Sequence, residues 1–259
     1  MIFYFSGTGN TRWVAQFLAQ ELNDTLRFIP DEIGGEMHYR LKEGERLGFV
    51  FPCYGWGVPP FVERFIEQVK IEHVEYLYFV TTCGDDTGMT AEIFCDDVAK
   101  KGWTCTLGYA VQMPESYVCL PGFDVDPKEK EQQKLINAIT RVNQIVDDVI
   151  DGRGGFDTIP GGFAWAKSHI IRPFFNRFLV TPKYFKTTDS CVGCAKCVQA
   201  CPYQNIQLNA ANHPEWGTTC VQCMRCYHQC PQRAIEWGIF TKNKGQYLFK
   251  DSPPPLNNQ

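Results

Sequence analysis

Eight cysteines in the C-terminal third of the chain form two copies of one pattern, offset by 29 residues. The first copy consists of Cys191, Cys194, Cys197 and Cys201, and the second of Cys220, Cys223, Cys226 and Cys230. In each copy two residues separate the first three cysteines from one another, three residues precede the fourth, and a proline follows it. Three cysteines at this spacing can bind three irons of one 4Fe-4S cube, so the pattern indicates iron–sulfur chemistry and the movement of electrons.

The duplication extends beyond the cysteines, since Val192 corresponds to Val221 and Ile206 to Ile235. The pattern resembles that of bacterial two-cluster ferredoxins, in which the fourth cysteine of each copy binds the other cluster. The resemblance implies a small α+β ferredoxin-like domain with two 4Fe-4S clusters and crossed ligand sets. We expect one set to be Cys191, Cys194, Cys197 and Cys230, and the other Cys220, Cys223, Cys226 and Cys201.

Cysteines at such spacings can also bind zinc or form disulfides. Paired Cys-x2-Cys units also bind zinc, but the third cysteine and the final Cys-Pro exceed what a four-ligand zinc site needs. A disulfide framework is disfavoured because the amino terminus has no basic region ahead of an apolar segment, as a secretory signal would. We therefore expect a reduced, cytoplasmic protein.

A second motif lies at the start of the chain, where the apolar run of residues 1–5 predicts a buried strand. The loop Ser6, Gly7, Thr8, Gly9, Asn10 and Thr11 follows directly, ahead of apolar residues at helical spacing. Glycines permit a tight turn, and the N-terminus of a helix presents free N–H groups to an anion, so the loop is typical of phosphate binding. It contains no lysine and does not read G-x-G-x-x-G, so it is neither a nucleoside-triphosphate loop nor a dinucleotide fingerprint. The alternative is an ordinary strand-to-helix turn.

This loop resembles the FMN phosphate loop of the flavodoxin family, which reads Ser/Thr-x-Thr-Gly-Asn-Thr after the first strand. Further apolar patterns predict strands at 26–29, 47–51, 76–82 and 105–111, and helices at 59–70, 90–100 and 128–150. The resemblance implies an α/β, doubly wound parallel sheet of order 2-1-3-4-5, with FMN at the carboxyl ends of the strands.

Two later loops follow the third and fourth predicted strands, where a flavodoxin holds the flavin ring. They contain Pro52, Cys53, Tyr54, Gly55 and Trp56, and then Thr82, Cys83, Gly84 and Asp85. Tyr54 and Trp56 are candidates to stack on the ring, and packing beneath the glycine-rich turn is the alternative. The second loop has no stacking tyrosine after Asp85, so that side of the ring is open, covered by Tyr117, or facing the ferredoxin domain.

Five cysteines lie outside the two copies: Cys53, Cys83, Cys95, Cys105 and Cys119. Free cysteine is among the most buried residue types, so we expect core positions. Cys53 and Cys83 end neighbouring predicted strands, and a redox disulfide between them is the alternative.

Together the motifs divide the chain into a flavodoxin-like domain (1–151), a connector (152–186), a two-cluster ferredoxin domain (187–245) and a partly disordered tail (246–259). Apolar residues of the connector recur at helical spacing among basic residues: Phe163, Ala166, Ile170, Phe174 and Phe178, with Ile171, Phe175 and Leu179 beside them. The leading interpretation is a helix that buries this aromatic face against both domains. A basic amphipathic helix lying on a membrane surface or a partner is the less favoured alternative.

The charge distribution gives no reason to expect nucleic-acid binding. Residues 1–150 hold 13 Lys and Arg against 23 Asp and Glu, whereas residues 151–259 hold 12 against 6. Each 4Fe-4S centre with four thiolates carries a charge of about −2, so the basic side chains of the second part balance clusters. No apolar run approaches the roughly 20 residues of a membrane span.

The two motif sets together resemble flavodoxin-ferredoxin fusion proteins, which implies electron transfer between the clusters, FMN and redox partner proteins. One alternative is an FMN-dependent reductase of a small, quinone-like acceptor, with the long loop 113–127 as a lid over its pocket. Another is a redox-sensing or docking module. Direct oxidation of NAD(P)H is disfavoured because no nicotinamide fingerprint is present.

Overall fold

A six-stranded sheet forms the centre of the structure, a computed structural model that describes residues 1–249. The strands are β1 (Ile2–Tyr4), β2 (Leu26–Phe28), β3 (His38–Arg40), β4 (Arg46–Pro52), β5 (Lys70–Glu72), β6 (Tyr76–Cys83), β7 (Cys105–Gln112), β8 (Gly155–Asp157), β9 (Phe185–Thr187), β10 (Ile206–Leu208), β11 (Pro214–Trp216) and β12 (Ile235–Trp237). The α-helices are α1 (Asn10–Glu21), α2 (Ile29–Glu32), α3 (Pro60–Gln68), α4 (Thr90–Ala99), α5 (Lys128–Ile150), α6 (Ala164–Ala166), α7 (Arg172–Phe178), α8 (Lys196–Ala200) and α9 (Arg225–Gln229).

The order of the central sheet is β2-β1-β4-β6-β7-β8, and every neighbouring pair is parallel. When only the strands of this sheet are numbered along the chain, β4, β6 and β7 become the third, fourth and fifth strands. The order is then the predicted 2-1-3-4-5, which confirms the α/β flavodoxin-like fold. Strand β8 comes from the segment predicted as connector and adds a sixth, exposed edge strand. The smaller β3–β5 pair stands apart from this sheet.

Helices cover both faces of the sheet because its buried strands alternate their side chains between two cores. Phe3 and Phe49 point to the side of α3 and α4, where large aromatic residues dominate. Ile2 and Val50 point to the side of α1 and α5. The loops at the carboxyl ends of β1, β4 and β6 therefore meet at one edge, held between two rigid layers.

The C-terminal region is a small ferredoxin-like unit whose two halves repeat in backbone geometry. Helices α8 and α9 are each five residues long. Ala195 and Met224 precede them with φ of 58° and 57°, and Cys201 and Cys230 follow them with the same φ of −70°. Strands β9 and β12 pair antiparallel, as do β10 and β11. The sequence duplication is thus a structural duplication.

The connector is helical over most of residues 164–178, with a π-helical turn at Lys167–Ile171 between α6 and α7. The predicted burial of its aromatic face was wrong. Phe175 is buried, but Phe163, Phe174 and Phe178 are half or more exposed. The physical reason is that polar rather than apolar side chains attach this helix to the first domain.

Residues 246–249, predicted to belong to the tail, pack against the first loop. The backbone N–H of Phe249 donates to the carbonyl of Thr8 at 2.9 Å, and the hydroxyl of Tyr247 donates to Asn10 Oδ1 at 2.7 Å. The disorder predicted for residues 251–259 lies outside the described residues. Within residues 1–249, no helix is both long enough and apolar enough to cross a membrane.

Candidate cofactor sites

Two small cavities in the C-terminal unit collect the eight motif cysteines in crossed sets. One cavity, named here cavity I, is lined by Cys191, Cys194, Cys197 and Cys230. The other, cavity II, is lined by Cys201, Cys220, Cys223 and Cys226. The crossing arises because Cys201 and Cys230 turn away from the ends of α8 and α9, each toward the opposite half. These are the two sets expected from the sequence.

Backbone N–H groups donate to the crossing sulfurs at equivalent places in the two halves. Asn205 N lies 3.3 Å from Cys201 Sγ, and Ala234 N lies 3.3 Å from Cys230 Sγ. Hydrogen bonds to the ligating sulfurs are one of the features that set the reduction potential of a 4Fe-4S cluster. Burial raises the pKa of two other motif cysteines, Cys220 to about 11 and Cys223 to about 12. Bound metal would supply the positive charge that a buried thiolate needs.

Each cavity is lined by four of the motif cysteines. Each cysteine of a 4Fe-4S cube binds a different iron, so a cubane needs four cysteines placed around a space. In the described part of the chain, no three His, Cys, Asp or Glu side chains are placed to ligate one metal ion.

The first loop is held in a fixed shape by bonds within the N-terminal domain. Gly9, with φ of 107°, is the N-cap of α1, and its N–H donates to Ser6 Oγ at 3.2 Å. The hydroxyls of Thr11 and Thr82 lie 2.7 Å apart. The first N–H groups of an α-helix have no acceptor within that helix, so the loop offers donors to an anion.

A cavity of about 590 Å³ opens beside this loop, and most residues predicted to bind FMN line it. We call it the large cavity. The predicted residues that line it are Gly7, Thr8, Asn10, Thr11, Pro52, Cys53, Tyr54, Gly55, Trp56, Thr82, Cys83, Gly84, Asp85 and Tyr117. Its volume lies within the roughly 300–1,000 Å³ typical of cofactor and ligand sites. Ser6 and Gly9 do not line it, and they act on the loop's shape instead.

The two candidate stacking residues both line the large cavity and also pack against protein. Tyr54 makes an edge contact with Phe61, with ring centroids 5.8 Å apart. Trp56 has a positive φ of 64°, and the Lys167 ammonium lies 5.4 Å from the centroid of its ring. Tyr54 and Trp56 thus pack against protein groups and line the large cavity at the same time.

The sequence did not identify Glu115 as a site residue, although it named the loop that contains it. Glu115 lines the large cavity, and its Oε1 accepts hydrogen bonds from the backbone N–H groups of Ser116 and Tyr117, at 2.8 and 2.7 Å. Its burial raises the pKa of this carboxyl above the ordinary 4.5. The sequence signal that could have identified it is the position of an acidic residue directly after Met113 and Pro114, at the end of a strand.

Three buried polar atoms on the wall of the large cavity lack a hydrogen-bond partner. Within residues 1–249, these are the Tyr117 hydroxyl, Gln222 Nε2 and Asp86 Oδ1. Burying such groups without a partner costs about 1–3 kcal/mol each, so native proteins seldom leave them unpaired. A bound molecule with polar ring edges, such as a flavin, would offer hydrogen-bond partners to groups of this kind. No sequence signal marked Gln222, which lies between two cluster cysteines.

The five remaining cysteines are free thiols. Cys53 and Cys83 line the large cavity, as their strand ends required. Burial raises the pKa of Cys53 to about 11 and holds that of Cys83 well above its ordinary value, which favours the thiol, the less reactive form, at both positions. Cys119 packs in the C-terminal core with its sulfur 3.3 Å from that of Met224.

The large cavity and cavity II share part of their walls. Cys223 and Met224 line both. Arg225 Nη1 donates to the carbonyl of Gly7 at 3.1 Å, which attaches the second cysteine copy to the first loop. One motif cysteine therefore separates the two spaces.

Comparisons with known proteins cover the two parts of the chain unequally. No curated protein matches the chain. Among solved structures, Trp repressor binding protein from Bacillus subtilis is 18% identical with a TM-score of 0.34, over 55% of this chain and 96% of that chain. Rubredoxin oxygen:oxidoreductase from the anaerobe Desulfovibrio gigas is 15% identical with a TM-score of 0.30, over 58% of this chain and 36% of that chain. Because these TM-scores are low, neither similarity supports a conclusion. The family model of the 4Fe-4S dicluster domain matches residues 190–235, which are therefore a ferredoxin domain of this kind.

Proposed function

We propose that this protein is an electron carrier that holds FMN in the large cavity and one 4Fe-4S cluster in each of cavities I and II. It passes electrons between these cofactors and on to redox partner proteins. The observation that carries the proposal is the position of Cys223, a proposed cluster ligand that also lines the large cavity. A 4Fe-4S cluster exchanges one electron and FMN one or two, so the pair converts between the two modes.

The chain's own residues divide the work of binding. Gly7, Thr8 and the first amides of α1 would hold the phosphate, since they combine N–H donors with the positive end of the helix dipole. Tyr54 and Trp56 would exclude water from the flavin ring, while Tyr117 and Gln222 would offer it hydrogen bonds. The crossed cysteine sets would each hold one cluster.

Contacts between the two domains keep the proposed sites at a fixed separation. Arg225 bonds to Gly7, and His228 Nε2 lies 2.8 Å from the carbonyl oxygen of Ser116, in the loop that also carries Tyr117. Lys244 reaches three backbone carbonyls of residues 118–123. These bonds favour a docked arrangement over a free tether between two domains.

A second candidate function is the reduction of a small acceptor, and the apolar part of the lining of the large cavity favours it. This part includes Leu120, Phe123, Phe175 and Leu179. Glu115 in the same cavity can hold a proton because burial raises its pKa. A quinone-like acceptor needs both an apolar surface and protons when it takes two electrons.

Cofactor analysis after anaerobic purification tests the proposed function. We expect one FMN released per chain on denaturation, with about eight iron and about eight acid-labile sulfide. Stoichiometric zinc without sulfide, or a protein that binds no flavin when FMN is supplied, would contradict the proposal. Multiple turnovers with a soluble quinone under a low-potential electron donor would favour the reductase, and a single reduction without turnover would favour the carrier.

A further inference from the structure

Three polar side chains attach the connector helix to the N-terminal domain, and apart from the buried Phe175 its large apolar side chains are half or more exposed or nearly so. On the inner side, Lys167 Nζ pairs with Asp86 at 2.6 Å, Ser168 Oγ donates to the carbonyl of Trp56 at 2.7 Å, and Arg172 donates to the carbonyl of Val58 at 2.6 Å. A surface helix of a globular domain ordinarily has the reverse arrangement, with apolar residues facing the core. The inversion requires an explanation outside the N-terminal core.

The outward side of this helix carries an apolar row at intervals of seven, four and four residues. Phe163 is 88% exposed, Ile170 61%, Phe174 59% and Phe178 50%. We call these four residues the outer stripe, and Trp165, at 61%, lies beside it. Contiguous exposed apolar surface of this kind marks sites of interaction with protein or membrane.

The charge around the outer stripe has one sign. No Asp or Glu occurs between residues 158 and 188, whereas five Lys or Arg do. Three of the five pair with acidic residues elsewhere in the fold, but Arg177 and Lys183 are exposed and make no ion pair within the described chain. An aromatic stripe flanked by unpaired basic residues matches helices that lie in the interface of an anionic bilayer.

We propose that the outer stripe binds the surface of an anionic membrane, with the connector helix lying in the plane of the lipid headgroups. Phe174 belongs both to the stripe and to the wall of the large cavity, and its neighbour Ile171 is also exposed and also lines that cavity. The cavity would therefore face the lipid, and an apolar acceptor could pass between lipid and cavity. Membrane binding itself does not depend on the proposed cofactors.

A second copy of the chain fits the same surface less well. Self-association through the outer stripe would bring Arg177 and Lys183 of two copies together, and the segment holds no acid to pair with them. Like charges across an interface oppose association, whereas anionic headgroups attract the same residues.

Sedimentation of the full-length holoprotein with lipid vesicles tests the proposal. We expect binding to vesicles of phosphatidylcholine with phosphatidylglycerol, and much weaker binding to vesicles of phosphatidylcholine alone. The double variant Ile170→Ser, Phe178→Ser should lower the partition coefficient by at least about tenfold, since both side chains would leave the acyl boundary. Ile136→Ser removes an isoleucine from α5 that is 48% exposed, and it should leave binding unchanged.

A charge variant separates the electrostatic part of the interaction. Arg177→Gln with Lys183→Gln should weaken binding to anionic vesicles by about tenfold and reduce its dependence on salt. Absence of vesicle binding by the wild type, or equal binding of wild type and both double variants, would overturn the proposal. So would a lipid-free dimer, seen by analytical ultracentrifugation, that Ile170→Ser, Phe178→Ser converts to monomer. These positions are exposed, so the variants should retain the wild-type circular dichroism.

Discussion

The backbone of Gly7 lies directly against Cys223, so that a Cβ atom at Gly7 would fall 2.5 Å from the Cys223 carbonyl oxygen and 3.0 Å from its Cβ. Gly7 belongs to the first loop, and Cys223 to the second cysteine copy. The proposed phosphate site and a proposed cluster ligand are therefore packed at backbone contact. Any side chain at position 7 would push the two domains apart.

The substitution Gly7→Ala tests this contact. The added methyl group meets backbone atoms that cannot rotate away, so we expect a loss of about 1–3 kcal/mol in the free energy of unfolding. FMN affinity and the iron content should fall together because both sites share the strained contact. Gly162→Ala is the control, since a Cβ there has no neighbour within 4 Å. Thermal unfolding with FMN and iron assays distinguishes the two variants, and an equal response would refute tight packing at Gly7.

The crossed cysteine sets predict the outcome of Cys201→Ala. Although Cys201 belongs to the first copy in sequence, it lines cavity II with Cys220, Cys223 and Cys226. We expect iron and sulfide to fall from about eight each to about four each, with the cluster in cavity I retained. Cys95→Ala, which removes a thiol outside both cavities, should retain all the iron. Loss of the cluster formed by Cys191, Cys194 and Cys197 instead would show uncrossed ligation.

The first loop should lose FMN when it receives a negative charge. Thr8→Glu places a carboxylate and extra volume where the phosphate would lie, so we expect at least about a hundredfold weaker FMN binding. Both clusters should remain, and Thr8→Ser should bind FMN nearly as the wild type does. Fluorescence titration provides the affinities. The wild type should bind riboflavin much more weakly than FMN. Equal affinities for the two would contradict the proposal that the first loop binds the phosphate.

The buried carboxyl of Glu115 predicts a dependence of stability on pH. Burial raises its pKa above 4.5 in the folded chain, although two backbone N–H groups and Lys134 lower it and Asp85 raises it. The folded state therefore holds this proton more tightly than the unfolded state, and the associated stability is lost as pH rises through the folded pKa.

We expect Glu115→Gln to gain stability relative to the wild type as pH increases above the ordinary carboxyl pKa of 4.5, because the amide cannot ionise. Thermal unfolding of the holoprotein measures this difference, with Glu129→Gln on the exposed side of α5 as the control. Infrared titration of the carboxyl band provides a direct check. A difference in stability that is constant with pH would show that the pKa of Glu115 is not raised in the folded state.

The strands and helices of the first domain were predictable because buried parallel strands and amphipathic helices leave strong apolar patterns. The ends of β4, β6, β7 and α5 lie within two residues of those predicted. Strand β8 was not predictable in this way, since its three residues are exposed and carry no alternation. It forms because the edge of β7 is available for pairing.

In the connector, the periodicity of apolar residues predicted which residues share a helix face, but not which face contacts the protein. The hydrogen bonds of Ser168 and Arg172 place the polar face against the N-terminal domain. Similarly, Tyr247 and Phe249 precede a run of prolines, so the sequence alone predicts that they belong to a tail. Their hydrogen bonds to Asn10 and Thr8 join residues more than 200 positions apart, which local sequence patterns do not reveal. Most residues that line the cavities through a sequence motif were predicted to lie there, and those placed there by docking, such as Gln222, were not.

The central claim is that electrons pass between cavity II and the large cavity within one molecule. Stopped-flow spectroscopy after mixing with a low-potential donor measures it most directly, by following cluster and flavin absorbance at several protein concentrations. Because Cys223 lines both cavities, we expect flavin reduction to follow cluster reduction at a rate independent of protein concentration. A flavin reduction rate that rises in proportion to protein concentration would show transfer between molecules and contradict the account.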